Sequence, residues 1–458
     1  MRILICGAGQ VGFGIAERLA VEGNDVSVID NSPRLIQSIS ETLDVRGIVG
    51  HGAHPDILAR AGADQADMII AVTLHDEVNM VACQVASSLF NIPTKIARIR
   101  GQSYLAPEYG DLFSRENLPI DVIISPEVEV GEMVLRRLAL PGAFDTVDFV
   151  DGAVTVAGVT CEENCPIVDT PLSQLTELFP DLAAVVVAIY RNGSLFVPHS
   201  TDSLLVGDIA YFVADSGQVA RTLSIFGHEE KAANRVVIAG GGHIGFYVAQ
   251  EIEARQRHAR VKVIESVRDR AIQIAEELDR SVVLHGSALD EEILREADIG
   301  DVDTIVALTN NDEVNILSCL LALRLGAGRA LCLVNNRGYP DLTRDLGIQA
   351  YINPRQITIS RVLQHVRRGR IRGVHSIQNG AAEVIEAEAL ETSPLVGKPL
   401  REIDILEGLR IGAVVRDGKI IIPRGGTVIE ARDKIVICAM ADQVRRVEQM
   451  FRVSIDFF

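Results

Sequence analysis

The chain writes one pattern twice, and that repeat limits its architecture more than any other feature. Residues 67–80 (DMIIAVTLHDEVNM) and 303–316 (DTIVALTNNDEVNI) agree at eight of fourteen positions, at an offset of 236. Upstream, the G-x-G-x-x-G spacing of Gly7, Gly9 and Gly12 recurs at Gly240, Gly242 and Gly245, at an offset of 233. The three-residue difference predicts a longer helix–strand loop in the second copy, around residues 254–260. Two unrelated α/β segments would not hold register over such a span, so each copy is read as one structural unit.

Within each copy, short apolar runs alternate with helical patterns. In the first, residues 3–6 form a strand, and Val11, Ile15 and Leu19 then recur at helical spacing until Gly23 offers a stop. A second strand at 26–29 ends on Asp30, and Ser32-Pro33 opens a helix with a capping hydroxyl and a proline in the first turn. Runs at 48–49, 68–72 and 96–99 supply further strands. The second copy follows with 236–239, then Ile244, Val248 and Ile252 on one helix face, then 261–264 ending on Glu265. Nearly continuous apolar strands between helices predict a parallel, doubly wound sheet.

A smaller unit follows each copy, and it too is duplicated. CPIVDTPL at 165–172 matches SPLVGKPL at 393–400. Asn192-Gly193 and Asp417-Gly418 are hairpin-turn signals, with Pro198 and Pro423 at equal distances behind them and Asp208 and Asp433 before matching apolar runs. The expected fold class is α/β: two Rossmann-like doubly wound parallel-sheet domains, each followed by a small α+β module. The expected domains are 1–123, 142–227, 233–351 and 373–454.

In such sheets ligands lie beyond the carboxyl ends of the strands. Gly7, Ala8, Gly9, Gln10, Val11 and Gly12 would let a pyrophosphate approach the backbone and rest on a helix N-terminus. Asp30 would accept the hydroxyls of an adenosine ribose and repel a 2′-phosphate, which favours NAD or an adenine nucleotide over NADP; Arg34 nearby weakens that preference. Gly50-His51, Thr73-Leu74 and Arg98 lie at the ends of later strands, Arg98 placed to neutralise a phosphate. The second set is Gly240, Gly241, Gly242, His243, Ile244, Gly245, Glu265, Gly286, Ser287, Thr309 and Asn310, with Val334 where the first copy has Arg98.

Plainer readings stand beside these. A glycine fingerprint is often only a strand–helix packing device, and Arg98 could be a surface ion-pair partner. His51, His54 and His285 read as loop residues rather than ligands or proton donors. Asp76-Glu77 and Asp312-Glu313 read as charges at helix N-termini rather than a metal site.

Composition removes several classes. A net charge of -18, no tryptophan and few aromatics argue against a nucleic-acid partner. The one basic stretch, 361–372 with Arg367, Arg368 and Arg370, reads as a solvated helix face or a partner contact. Seven scattered cysteines do not form a disulfide framework, and Cys161 and Cys165 lack companions for a metal site, so they read as structural or incidental. No run reaches the roughly 18 apolar residues of a membrane helix; residues 317–334 are broken by Arg324 and Arg329. With a strand rather than a signal peptide at the N-terminus, the expectation is a cytoplasmic protein that reaches a membrane only through a partner.

A dehydrogenase needs a substrate site and a proton-transfer residue beside its nicotinamide. The small modules carry no dense set of His, Lys, Tyr or paired carboxylates, so the duplication reads as a sensor rather than an enzyme. The motifs ICGAGQVG (5–12), GHGAHPDIL (50–58), DEVNMVACQVA (76–86), KIARIR (95–100) and ISPE (124–127) carry a resemblance, as do GGGHIG (240–245) and NDEVNI (311–316). Through them the whole chain resembles the TrkA family, NAD-binding regulatory subunits of Trk-type potassium uptake systems built from tandem KTN (RCK-N) and RCK-C halves. It departs from that pattern at Gly286-Ser287-Ala288, where the family has Gly-Asp-Ala. The resemblance implies NAD(H) or ATP/ADP as ligands, a tetrameric ring of chains, and attachment to the cytoplasmic face of the membrane through an integral potassium-translocating subunit. The alternatives are a regulator of another cation transporter or efflux system, and an NAD-dependent oxidoreductase.

Overall fold

A strand that is apolar along its whole length needs cover on both faces, and each half of this chain supplies it. In the computed structural model the described residues are 1–336, 338–339, 343, 346–348, 350–366, 371–403 and 407–451. Arg367, Arg368 and Arg370 of the basic stretch lie outside them, as does the expected domain limit at 454.

The first half opens with β1 (Arg2–Cys6), α1 (Gln10–Val21), β2 (Asp25–Asp30), α2 (Pro33–Thr42) and β3 (Arg46–Val49). It continues with α3 (Pro55–Arg60), β4 (Met68–Ala71), α4 (Asp76–Phe90), β5 (Thr94–Arg98) and β6 (Val122–Ile124). The strands are parallel in the order β3-β2-β1-β4-β5-β6, so the winding reverses between β1 and β4. Gly23, with φ +73, ends α1, and the Ser32 hydroxyl accepts from Leu35 N at 3.4 Å to cap α2. Helix α5 (Pro126–Ala139) follows.

The first module comprises β7 (Asp145–Phe149), β8 (Val154–Thr160), α6 (Leu172–Leu178), β9 (Ala184–Arg191), β10 (Ser194–Phe196), β11 (Ile209–Asp215) and α7 (Val219–Ile225). Its sheet is antiparallel, β10-β9-β11-β8-β7. Asn192 (φ 49) and Gly193 (φ 83) make the tight turn that the sequence predicts. Asp208, 1% exposed, accepts from Arg191 Nε and Nη2 at 2.8 and 2.6 Å. Cys161 and Cys165 are free thiols buried in the module core.

The second half repeats the first: β12 (Arg235–Ala239), α8 (His243–Arg255), β13 (Arg260–Glu265), α9 (Arg268–Glu277), β14 (Val282–His285) and α10 (Glu291–Glu296). Then come β15 (Thr304–Ala307), α11 (Asp312–Arg324), β16 (Ala330–Leu333), β17 (Ala350–Ile352) and α12 (Pro354–Val366). The strand order is β14-β13-β12-β15-β16-β17. The extra residues of this copy are split, which corrects the single longer loop expected near 254–260. One lengthens α8 relative to α1, one lengthens the loop behind it, and one lies between α9 and β14. The second module holds β18 (Ile371–Ile377), β19 (Ala382–Glu388), β20 (Leu409–Arg416), β21 (Lys419–Ile421), β22 (Lys434–Met440) and α13 (Val444–Met450). Its order, β18-β19-β22-β20-β21, is that of the first module, and Arg416 pairs with buried Asp433 as Arg191 does with Asp208.

The halves exchange helices. Val130, Val134, Leu135 and Leu138 of α5 lie in the core of the second sheet, while Val362, Leu363 and Val366 of α12 lie in that of the first. Each crossing sets a glycine against a large side chain, with the roles reversed. A Cβ on Gly14 of α1 would lie 2.3 Å from Ile359, and one on Gly131 of α5 would lie 2.3 Å from the Tyr247 ring on α8. Arg361 Nε lies 3.0 Å from the Glu129 carboxylate. This cation therefore joins the two exchanged helices while staying exposed to solvent. The two modules also share one core, in which Val187 and Tyr211 meet Val384 and Ala413. Among the described residues no helix is long and apolar enough to cross a membrane.

Candidate nucleotide site

At the end of β1 the backbone turns through Gly7 (φ +113), and a Cβ on Gly12 would fall 1.8 Å from Gly7 O. Nothing lies within 4 Å of a Cβ placed on Gly9. Close packing thus demands glycine on the inner side of the turn, while the outer side is an open concavity. Gly9 is the N-cap of α1 and gives no side-chain cap, so the first-turn N–H groups face that concavity without a protein acceptor from the cap. The second half repeats the geometry: Gly240 has φ +107, a Cβ on Gly245 would lie 2.0 Å from Gly240 O, and Gly242 is open. Both turns fit the phosphates of a dinucleotide.

The acidic residues have a task that the sequence did not reveal. Asp30 accepts from Ala8 N through Oδ2 at 2.7 Å and from Ser32 N through Oδ1 at 2.8 Å. Glu265 likewise accepts from Gly241 N at 2.8 Å and Val267 N at 2.7 Å. Each carboxylate braces the glycine turn from the neighbouring strand; both Asp30 oxygens keep a lone pair for a further donor, whereas Glu265 Oε1 also accepts from the Ser266 hydroxyl at 3.4 Å.

Thr73 and Thr309 are also held from within. The Thr73 hydroxyl donates to Asn79 Oδ1 at 2.7 Å, and Asn79 Nδ2 donates to Arg98 O at 2.8 Å. Thr309, Asn315 and Leu333 O repeat the arrangement. Both asparagines are fully buried. Their signal was the asparagine of the repeated D-E-V-N run, overlooked because asparagine is ordinary on an exposed helix.

Strand register corrects one alignment. Arg98 pairs with Ile124, and Leu333 with Ile352, so the counterpart of Arg98 is Leu333 and not Val334. From Asp312 to Ala330, which pairs with Ile305, the chain is one residue shorter than from Asp76 to Lys95, which pairs with Ile69, and this difference displaced the sequence match. The consequence holds: the second turn has no cation there, since Leu333 is apolar and 4% exposed. Arg98 Nε is buried without a hydrogen-bond partner, and no salt bridge is formed by this side chain among the described residues. The ion-pair alternative for Arg98 is therefore set aside.

Other expected residues answer to packing. A Cβ on Gly50 would meet Ile57 at 2.7 Å and one on Gly286 would meet Ile293 at 2.6 Å, so both glycines admit a helix against the strand. The His51 and His54 rings stack at 4.5 Å, and Ser287 Oγ accepts from Leu289 N at 3.2 Å. Gln10, His243 and Asn310 are exposed, Leu74 is 76% exposed, and Val11 and Ile244 are half-buried. Asp76 accepts from Arg100 N and Gly101 N at 2.9 and 2.7 Å, and Glu77 accepts from Tyr104. These acids clamp the loop after β5. Asp312 and Glu313 repeat the clamp on Asn335, Asn336 and Tyr339.

One contact crosses between the halves. Arg355, in the first turn of α12, donates through Nη2 to Gln10 Oε1 at 2.8 Å and to Asn335 O at 3.1 Å. A cation from the second half thus sits at the mouth of the first glycine turn. In α5 the same helix position is Glu127, paired with Arg100 at 2.8 Å.

The family models agree with this arrangement. The TrkA-N domain matches residues 3–126 and 236–354, and the TrkA-C domain matches 156–227 and 384–452. The chain belongs to the TrkA family. Relatives of this TrkA-family chain include the Trk system potassium uptake protein TrkA of Azorhizobium caulinodans, 67% identical over 458 residues with all of both chains covered. The protein of the same name from Halomonas elongata is 42% identical over 462 residues, again with all of both chains covered. Among solved structures, the GsuK channel bound to NAD has a TM-score of 0.60 at 18% identity, covering 98% of this chain and 78% of that one. At that identity the likeness speaks for the shared fold.

Proposed function

We propose that this TrkA-family chain is a cytoplasmic NAD(H)- or adenine-nucleotide-responsive subunit, without turnover, that gates a Trk-type potassium uptake channel. The observation that carries the reading is an open glycine cradle whose mouth is shared by two halves: Gln10 of the first meets Arg355 of the second. A phosphate at α1 would draw on both, so ligand binding would alter how α12 sits on α1. The relatives' assignment to Trk potassium uptake and the NAD bound by the GsuK channel support the choice of partner and ligand.

The chain's residues would divide the work as follows. The N–H groups at the start of α1 receive phosphate oxygens, Arg98 neutralises them, and Asp30 holds the turn and offers its remaining lone pairs to a ribose. Ligands move such an assembly only through unequal affinity for its two arrangements, and several chains in a ring, four on this reading, would add their contributions. The units 1–123, 142–227, 233–351 and 373–454 would be the moving parts, with α5 and α12 as the joints between them.

The test is calorimetry of the purified chain with NAD, NADH, ATP and ADP, followed by potassium flux through the reconstituted translocating subunit. Nucleotide binding together with nucleotide-dependent flux is the expected result. No heat with any of the four, or flux indifferent to saturating nucleotide, would overturn the proposal.

A further inference from the structure

Between the halves lies a partly open cavity of about 620 Å³. Its walls come from α5, β7 and β11 of the first half and from β17, α12 and β18 of the second, and no residue of either glycine turn lines it. Volume and placement suit a small-molecule site, since such sites favour the junctions between domains.

The charges around it are largely matched. Arg361 lies 3.0 Å from Glu129, His375 lies 3.0 Å from Asp145, and Arg136 lies 3.9 Å from Asp148. Arg137 differs. Its Nε is buried without a hydrogen-bond partner, and among the described residues its guanidinium forms no salt bridge. The charge of Asp145 acts on it through space, but that carboxylate is hydrogen-bonded to His375. The other groups that act on Arg137 are Tyr351, Tyr211 and Cys332, none of them a carboxylate. Burial pulls the Arg137 pKa down, the mark of a cation held away from water.

Position at the C-terminal end of α5 gives only a modest dipole benefit, small beside the cost of removing an ion from water. Nor does the repeated architecture demand an arginine. By helix register from Pro126 and Pro354, the counterpart of Arg137 in α12 is His365, which does not line the cavity. A planar fork of N–H donors facing a cavity from within the molecule is suited to one chemistry above all, a carboxylate or phosphate held by two parallel bonds. Tyr211 lines the same space, its oxygen accepting from Gln378 Nε2 at 2.9 Å.

We propose that this cavity binds a small organic anion whose carboxylate or phosphate head rests on Arg137, at a site separate from the glycine turns. Both halves build the walls, so the anion favours the arrangement that closes around it and acts as a second regulatory input.

The experiment measures the apparent thermal midpoint of the full chain in chloride buffer, alone and with inorganic phosphate or succinate at matched ionic strength. The wild type is compared with Arg137→Met and Arg98→Gln. Arg137→Met is expected to raise the probe-free midpoint by roughly 2–4 °C and to lose the stabilisation that a probe gives the wild type. Arg98→Gln is expected to keep that stabilisation, which separates the cavity from the nucleotide turns. A response to phosphate alone assigns a phosphate head, and a response to succinate assigns a carboxylate. The proposal is overturned if neither probe stabilises the wild type, if Arg137→Met responds as the wild type does, or if the response disappears in Arg98→Gln. Should Arg137→Met fail to fold, Met133→Phe narrows the cavity with the charge left in place, and an undiminished probe response in that variant overturns it equally.

Discussion

Arg98→Gln separates a ligand-binding arginine from a structural one. Arg98 stands at the end of β5 with its Nε buried and unpartnered. Burial lowers its pKa and Arg100 adds to the effect, while Glu127 and Asp76 oppose it. In the nucleotide-free chain the substitution breaks no side-chain bond, so the thermal midpoint should stay level or rise slightly. With ligand bound, it removes a hydrogen bond to a charged group, worth about 1.5–3 kcal/mol. At about 1.36 kcal/mol per factor of ten, the first site should bind NADH roughly 10- to 150-fold more weakly. The second site has Leu333 in that place, so its affinity should not change. Titration calorimetry resolved into two classes of site checks both statements, with ADP as a second ligand. Equal weakening at both sites, unchanged affinity at the first, or a lowered midpoint without nucleotide would refute the reasoning.

Five other variants probe that site and the frame of the fold. Arg355→Ala removes the cation on Gln10 from the other half and should weaken the first site alone, by at most about 10- to 150-fold, the worth of a hydrogen bond involving a charged group, in the same titration. Gly131→Ala drives a Cβ into the Tyr247 ring, whose hydroxyl is held by Glu132 at 2.7 Å, and should cost about 1–3 kcal/mol in thermal unfolding. Gly14→Ala meets only the movable end of Ile359 and gains up to about 1 kcal/mol of helix propensity, so it should be nearly neutral; the reverse ranking would contradict the packing argument. For the bridge between modules, burial pushes the Asp145 pKa up, but the charge and hydrogen bond of His375, aided by Arg137, outweigh it and leave it lowered. A depressed carboxylate contributes stability above its unfolded pKa of about 3.9 and loses it as pH falls through the folded value. His375→Gln should therefore move acid unfolding to higher pH, read from the midpoint as pH falls. Arg191→Ala leaves Asp208 buried and uncompensated and should cost about 3–5 kcal/mol; a change below about 1 kcal/mol would mean that the pair behaves as a surface bridge.

Much of the fold was legible because it depends on local rules. The glycine turns and the two hairpins need particular residues at particular φ, and those residues stand in the sequence twice; the Ser32-Pro33 cap is as readable but stands once, Val267 being the N-cap in the second half. The path of α5 and α12 was not legible. An amphipathic helix declares that it has an apolar face, not which sheet will cover it, and Val134 and Val362 would satisfy either half. The candidate site was legible in its glycine turns and in the strand-end place of Arg98. It was not legible in Asp30 and Thr73, because a side chain suited to a ribose is equally suited to a backbone N–H or a buried amide. The alignment of Val334 with Arg98 failed for a simpler reason: sequence matching carried one offset through a helix and loop that are together one residue shorter in the second copy.

The two halves share an architecture but not a charge pattern, and the difference bears on how a paired sensor could work. Arg355 of the opposite half touches the first glycine turn at Gln10, and Arg98 stands at the end of β5 in the same sheet. At the corresponding places the second half has Leu333, and α5, which packs on α8, carries Glu127 with a buried, unpartnered Oε2. Glu127 is already paired with Arg100 through Oε1 and offers a phosphate no cation, where Arg355 would attract one. On the proposed function, the same nucleotide meets two sites of different affinity joined by exchanged helices. A ligand of equal affinity for two arrangements shifts neither, so identical turns under a symmetric exchange would give the ring no reason to prefer one half's geometry. The substitution of Glu127 by Arg355 across the repeat breaks that symmetry, at the contact where a helix of one half meets the ligand turn of the other.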